Sequence, residues 1–347
     1  MILLLGATGY VGKAFSSELR RRKLSFIPLT RKAIDYTSFE TLFDYVRKMK
    51  PEFIINAAGR APGTDGAGSH SNRWDMLCAN GLLPQTIARV SLMTNTPWGH
   101  VSSGSIYTGA KLAVEGGRTR IERDLSRPDV QRLFAAYPEK IHGFTELDEP
   151  NFSFRHSPCG FYSGTKALAE EAIHGVGRSY IWRPRLLFDD CDHSRNLLSR
   201  ILCANKIDDN INSISHLDDF VTACLELWDR QAAFGIYNVV NTGAVTTRRI
   251  VELIRQFLNP PVEFEFVEDA VDSCDGLAQS PRSNCVLDAS KLMAAGVRMR
   301  SADEALQRSL QMWHAPVSSL EHHGTWSEPM NAPRGAAVFG ELFAPQT

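Results

Sequence analysis

The sequence has no excess of charge of either sign, no long apolar run and no closely paired cysteines. Lys and Arg total 38 against 39 for Asp and Glu, a net charge of −1. Nucleic acids and anionic membranes both reward a basic excess, so neither is expected as a partner. A local basic pocket for one phosphate-bearing ligand remains compatible with that balance. No stretch approaches the ~20 apolar residues of a membrane span. The opening Met1–Leu5 run stops at Gly6 with no basic residue before it, too short for the apolar region of a signal peptide. The seven cysteines (78, 159, 191, 203, 224, 274, 285) are odd in number and scattered, without a Cys-x-x-Cys pair. Neither a disulfide framework nor a zinc site is expected, and a reducing cytoplasm is the expected location. His322 and His323 are adjacent but have no carboxylate-rich frame, so no metal is expected.

What is present is a chain of 347 residues, 43% hydrophobic and 22% charged, long enough for about two domains. Short apolar runs alternate with amphipathic stretches. Ile2–Leu5, Leu24–Leu29, Phe53–Asn56 and Trp98–Ser102 read as strands. Tyr10–Arg22, Phe39–Met49 (with Ser38 as a cap) and Trp74–Met93 read as helices. Strand–helix alternation at this spacing predicts an α/β fold, a doubly wound parallel sheet with helices on both faces. Residues 108–158 break the rhythm with Gly-Gly, charges and four prolines; one short helix is expected near Pro128–Ala136. A helix returns at Tyr162–His174, then strands at Tyr180–Trp182 and Gly235–Val240 and a last helix near Ala302–Trp313. Residues 314–347 show no clear period.

Directly after the first strand stands Gly6-Ala-Thr8-Gly9-Tyr10-Val11-Gly12, opening a helix. Glycines there permit a tight turn and let backbone N–H groups approach a pyrophosphate at a helix N-terminus. The spacing is Gly-x-x-Gly-x-x-Gly, so a tight turn with packing glycines is the plain alternative. The second strand ends in Pro28-Leu29-Thr30-Arg31-Lys32, with no carboxylate to bind a ribose 2′-hydroxyl. A cation there suits a 2′-phosphate, which favours NADP(H), with NAD(H) still open. Arg31 and Lys32 read otherwise as a solvated basic turn. Asp35 is placed to accept from an adenine amine.

Tyr162-Ser-Gly-Thr-Lys166 sets Tyr and Lys one helical turn apart. A phenol has a pKa of about 10, and a nearby ammonium favours the phenolate. Ser102, Ser103 and Ser105, after the fourth strand, are candidates to polarise a reacting C–O group. A lone Tyr-x-x-x-Lys is often an ordinary aromatic–cation pair. It gains meaning from the glycine turn and from Asn56-Ala57-Ala58-Gly59 after the third strand.

On these residues the chain resembles an extended short-chain dehydrogenase/reductase over about residues 1–313. Within that superfamily it resembles the RmlD-like group, nearest to the plant-type nucleotide-rhamnose synthases, which are 3,5-epimerase/4-reductases of a 4-keto-6-deoxyglucose. The likeness rests also on Asp148–Phe152, Gly160–Lys166, Trp182–Arg185, Arg195-Asn196, Gly235–Asn238, Ser280–Asn284 and Leu287–Leu292. It implies a Rossmann-type domain mainly over 1–183, with 108–158 as an excursion that is either a lid or an inert surface addition. A substrate-binding lobe with interleaved sheet elements follows mainly over 184–313, then a tail over 314–347. It implies Ser103, Tyr162 and Lys166 as catalytic residues, with Tyr162 as acid/base, and Asn80 near the nicotinamide. Gly6, Thr8, Gly9, Tyr10, Val11, Gly12, Thr30, Arg31, Lys32, Asp35, Ala57, Ala58 and Gly59 join Asn80, Tyr162 and Lys166 around the cofactor. Arg185, Asn196, Arg200 and Arg282 fall in the nucleotide-sugar half, where cations and amides suit a diphosphate and base. By analogy, the helices Trp74–Met93 and Tyr162–His174 would form a four-helix bundle in a homodimer.

Two departures matter. Where the epimerase-reductases carry a cysteine two residues after the catalytic Ser/Thr, this chain has Ser105, a far weaker acid than a thiol. Where they carry a lysine base, a loose match places Arg200, which stays protonated. Epimerase function is therefore expected to be lost. The Asp-Glu pair of the related dehydratases is also missing, replaced by Gly104-Ser105. The leading expectation is an NADPH-dependent reductase of a nucleotide-activated keto-sugar. One alternative is a nucleotide-sugar epimerase or dehydratase that recycles its bound cofactor, with Cys159 or His193 relieving Ser105. Another is a non-catalytic binding subunit.

Overall fold

The structure, a computed structural model, describes residues 1–61, 70–204, 206–267 and 282–314. Residues Met1–His314 form one unit. The tail expected from 314 onward, apart from His314, lies outside the described residues, as do Cys274 and the Ser280-Pro281 part of the substrate-half motif.

Ile2–Leu5 is buried on both sides: Ile2 and Leu4 enter one core, Leu3 and Leu5 the other. A strand apolar on both faces needs a layer of helices above and below. Six parallel strands satisfy this, in the order Gly235–Asn238, Ser179–Arg183, Trp98–Val101, Phe53–Asn56, Ile2–Leu5, Phe26–Leu29. The chain leaves Ile2–Leu5 toward one edge and then crosses to its other side, so strand order reverses there. Ligand crevices of such sheets form at that switch point, beyond the carboxyl ends of the strands. Helix Tyr10–Arg21 buries Ala14, Phe15 and Leu19, with Phe15 near Trp182 and Phe220. Ser38 caps Phe39–Met49 by accepting from Thr41 N. Most predicted elements agree with the observed ones to within one or two residues.

The predicted Trp74–Met93 helix is instead three pieces: α-helix His70–Leu77, a π-turn Cys78–Leu82 and α-helix Leu83–Thr94. Pro84 removes an N–H from the ladder, and the wide turn places buried Asn80 against the third strand's loop. The 108–158 excursion is structured. Ala110–Ala113 pairs antiparallel with Thr119–Glu122 and with Ile141–His142, and Pro128–Ala136 is the expected helix. Leu112, Leu125, Val130 and Ile141 pack with Ile211 and Val286 of the later chain. At the sheet's outer edge, the Asn238 N–H donates to Glu146 Oε1 (2.7 Å) and Lys291 Nζ donates to the Ile236 carbonyl (2.7 Å). Among the described residues, no helix is long and apolar enough to cross a membrane.

Candidate active site

The glycine turn is shaped by close backbone approach. Gly6 has φ +75°, and a Cβ there would lie 2.5 Å from Ala58 N. A Cβ on Gly12 would lie 2.0 Å from Gly6 O. Gly9 opens helix Tyr10–Arg21 with no side-chain cap, so the first N–H groups of the helix have no side chain over them. Asn56 fixes the facing loop: its Oδ1 accepts from Ala58 N (3.1 Å) and its Nδ2 donates to His100 Nδ1 (3.0 Å). This cradle of glycines and an uncapped helix end fits a pyrophosphate. A cavity of about 320 Å³ beside it is lined by Thr8, Lys13, Arg20, Pro28 and Thr30 among others. Lys13 and Arg20 escaped the sequence reading; their i, i+7 spacing on one helix was the available signal. Val11 is partly buried, while Arg31 and Lys32 are exposed. Asp35 Oδ1 accepts from Thr37 N and Oγ1, which holds its carboxyl below the ordinary range. Tyr10 stacks on His193 (ring centroids 4.6 Å), and its buried hydroxyl has no hydrogen-bond partner among the described residues. Burial first, and Asp189 next, push that phenol far up.

Helix Phe161–Ile173 presents Tyr162 and Lys166 to this crevice. Lys166 is 4% exposed, and its Nζ donates to the Val101 carbonyl at 2.9 Å. Gly59 makes room there: a Cβ would sit 3.1 Å from Asn80 Oδ1 and 3.5 Å from Lys166 Nζ. Asn80 in turn accepts from Arg60 N (2.8 Å) and donates to Arg60 O (2.8 Å), so its amide fixes the loop after Gly59. Burial pushes Lys166 down to about 8, against the opposing pull of Glu170. Ser103 Oγ lies 3.1 Å from Ser105 Oγ and accepts from Ser105 N at 3.1 Å. Tyr162 is partly buried, and its phenol lies near enough to Ser103 to be acted on by it. Burial raises its phenol, while Ser103, Arg185 and Arg195 act the other way. The support expected from Lys166 is not among the influences on this phenol; two arginines that the spacing did not reveal in that role act on it instead.

A second layer was not legible in the sequence. Glu170 and Arg183, both buried, pair at 2.5 Å, and Ser102 Oγ donates to Glu170. Arg183 Nη1 reaches Tyr107 OH (3.0 Å), which donates to the Asp148 carbonyl (2.6 Å). Helix Phe161–Ile173 is thereby tied to the excursion. His100, fully buried, has no partner on Nε2 among the described residues and is held neutral by burial and by Lys166.

The substrate-half residues separate. Arg185 is 4% exposed; its Nη1 donates to Ser105 Oγ (3.1 Å) and its Nη2 to Asn212 Oδ1 (2.8 Å) and the Ser283 carbonyl. It stands with the serines. Asn196 departs from its expected role as a substrate donor. Its Nδ2 donates to the Asp189 and Cys191 carbonyls and its Oδ1 accepts from Leu198 N, which makes it the cap of helix Leu197–Leu202. Arg200 is half-buried and close enough to repel Arg185. Arg282 Nη1 pairs with Asp208 at 3.2 Å. Ligand atoms of Asp189, Asp190 and His216 converge within 4.8 Å. Both His216 ring nitrogens are engaged there, Nε2 with Asp190 and Nδ1 with Arg300 Nη2.

A parallel six-stranded sheet, a glycine turn at its switch point and Ser103, Tyr162 and Lys166 beside that turn define an extended short-chain dehydrogenase/reductase. More narrowly, the chain belongs to the RmlD substrate binding domain family, which it matches over residues 1–314. It is 26% identical over 307 residues to a trifunctional UDP-glucose 4,6-dehydratase/UDP-4-keto-6-deoxy-D-glucose 3,5-epimerase/UDP-4-keto-L-rhamnose-reductase of Arabidopsis thaliana, covering 88% of this chain and 40% of that one. The chain thus spans about two fifths of the length of such relatives. A bifunctional dTDP-4-dehydrorhamnose 3,5-epimerase/dTDP-4-dehydrorhamnose reductase of the same plant is 26% identical, covering 88% of this chain and 90% of that one. The fold is similar to that of a UDP-rhamnose synthase from Acanthamoeba polyphaga mimivirus (TM-score 0.72, 19% identity, 90% of this chain and 98% of that one). It is also similar to a dTDP-4-dehydrorhamnose reductase from Bacillus anthracis in complex with NADP (TM-score 0.65, 18% identity, 88% and 96% covered).

Proposed function

We propose that the protein is an NADPH-dependent reductase of a nucleotide-activated keto-sugar of the 4-keto-6-deoxy type, without 3,5-epimerase activity. The observation that carries this reading is the convergence of Ser103, Tyr162 and Lys166 beside the glycine cradle. When bound, the nicotinamide supplies the hydride to the keto carbon. Ser103 donates a hydrogen bond to the oxygen on which charge develops. Tyr162 gives that oxygen its proton, and the proton is restored from solvent. Lys166, fixed to Val101 O, has further N–H donors for ribose hydroxyls. Lys13, Arg20 and the exposed Arg31 and Lys32 offer cations for a 2′-phosphate. The relatives' printed activities supply the sugar class.

Loss of epimerisation rests on Ser105 and Arg200. A serine hydroxyl is a poor proton donor to an enolate, and an arginine is a poor base. The two alternative acids, Cys159 and His193, stand badly for that role. Burial pushes the Cys159 thiol up, and His193 lies stacked on Tyr10. Dehydration is disfavoured because Gly104-Ser105 stands where the dehydratases carry their Asp-Glu pair. A homodimer is supported by the apolar side chains left exposed on the two helical elements, Trp74 (61%), Leu82 (42%) and Leu168 (37%). The test is to incubate the protein with NADPH and nucleotide-4-keto-6-deoxy sugars in D2O, following absorbance and product NMR. One NADPH consumed per sugar, with no deuterium at C3 or C5, is expected. Conversion without net NADPH use would support a recycled cofactor and overturn the proposal.

A further inference from the structure

Arg183 and Arg185 are two residues apart and both are buried, yet the structure treats them differently. Arg183 has a carboxylate at 2.5 Å. Among the described residues Arg185 has no ion-pair partner and its Nε no hydrogen-bond partner. A guanidinium does not shed its proton, so this charge stays in a poorly hydrated place without a counter-charge. Its contacts lead toward the reacting centre: Arg185 Nη1 to Ser105 Oγ (3.1 Å) and Ser105 Oγ to Ser103 Oγ (3.1 Å), with the Tyr162 phenol near enough to be acted on by both Ser103 and Arg185. The tight turn at Gly104 enforces this path, since Gly104 N donates to the Pro184 carbonyl at 2.8 Å, immediately before Arg185.

We infer that Arg185 is a positioning residue for proton transfer, a fixed cation whose counter-charge is the phenolate left on Tyr162, reached through Ser105 and Ser103. This rests on the reading of Tyr162 as the acid, and it replaces the expectation that Arg185 holds a diphosphate. When Tyr162 gives up its proton, negative charge forms where a preorganised positive charge already stands. Such charge stabilises the transition state without reorganisation. The other charged and titratable groups acting on this pair are Arg195, which also favours the phenolate, and Arg200 and the Cys285 thiol, which act on Arg185. Lys166 Nζ lies 6.0 Å from the Tyr162 ring centre. Arg185 therefore complements Lys166 from another element of the fold.

The test is a tyrosinate-absorbance titration of the full chain with NADP+ bound, for the wild type, Arg185→Met and Ser105→Ala. Each is referenced to the same protein carrying Tyr162→Phe, and melting curves check that each is folded. Removing the cation should move the Tyr162 transition up by about one pH unit or more. Ser105→Ala, which leaves Arg185 in place but cuts the path, should move it in the same direction by less. If Arg185→Met does not fold, Ser105→Ala decides alone. A Tyr162 transition that is the same in all variants overturns the inference, as does a wild-type phenol that does not ionise by pH 11. An unmoved transition with weakened nucleotide-diphosphate binding would return Arg185 to the diphosphate. No sugar substrate is needed, so failure of this inference is distinguishable from failure of the proposed reaction.

Discussion

Lys166 sits in the interior with its charge only partly answered. Burial lowers its pKa to about 8, whereas a lysine in the unfolded chain titrates near 10.4. Between those values the unfolded state binds more protons than the folded one, so stability rises with pH across that window. Below about pH 8 the folded protein carries the full penalty of the buried ammonium. Lys166→Met should therefore melt higher than the wild type at pH 7, and the gap should close as pH rises from 8 to about 10. Its reductase activity should fall by about a hundredfold or more. Calorimetry across pH, beside an NADPH assay, checks both halves; a variant that melts lower at pH 7 contradicts the argument. Tyr162 and Lys166 were legible because four residues on one helix fix their relation. Ser105 and Arg185 were legible singly, but 80 residues separate them and only the fold joins them. The same holds for His100 with Asn56, 44 residues apart, and for Arg183 with Tyr107, 76 apart.

At the scale of the element, the glycine turn shows that one motif can hold glycines of different necessity. A Cβ on Gly12 would press on the backbone oxygen of Gly6, which cannot move aside as a side chain can. A Cβ on Gly9 would meet the same oxygen at 3.4 Å, an ordinary contact, and Gly9 has φ −74°. Gly12→Ala should cost about 3 kcal/mol or more and abolish NADPH binding, while Gly9→Ala should stay within about 1 kcal/mol of the wild type. Thermal melts and NADPH fluorescence titration separate the two, and equal effects would contradict the geometry. The strands of the sheet were legible because buried parallel strands read as continuous apolar runs. The π-turn at Cys78–Leu82 was not, since apolar periodicity continues across it and only Gly81 and Pro84 hint at a break. The excursion's short strands were hidden because the core residues they pack on, Ile211 and Val286, lie far along the chain.

At the scale of the molecule, the exposed Leu168 lies on helix Phe161–Ile173 itself and the exposed Leu82 on the neighbouring π-turn. Leu168→Arg places a charge in the proposed helical interface and should turn a dimer into a monomer, read by light scattering after size exclusion. An unchanged mass would place the dimer elsewhere or exclude it. The sheet itself offers no second route to assembly at its outer edge. A parallel sheet usually leaves a row of unpaired N–H and C=O groups on its last strand, open to a strand from another molecule. Here Glu146 occupies the Asn238 N–H and Lys291 the Ile236 carbonyl, so two side chains of opposite charge fill the positions a visiting strand would need. Crowded copies of this protein are thus discouraged from joining through the Gly235–Asn238 edge, and that protection depends on the excursion that delivers Glu146.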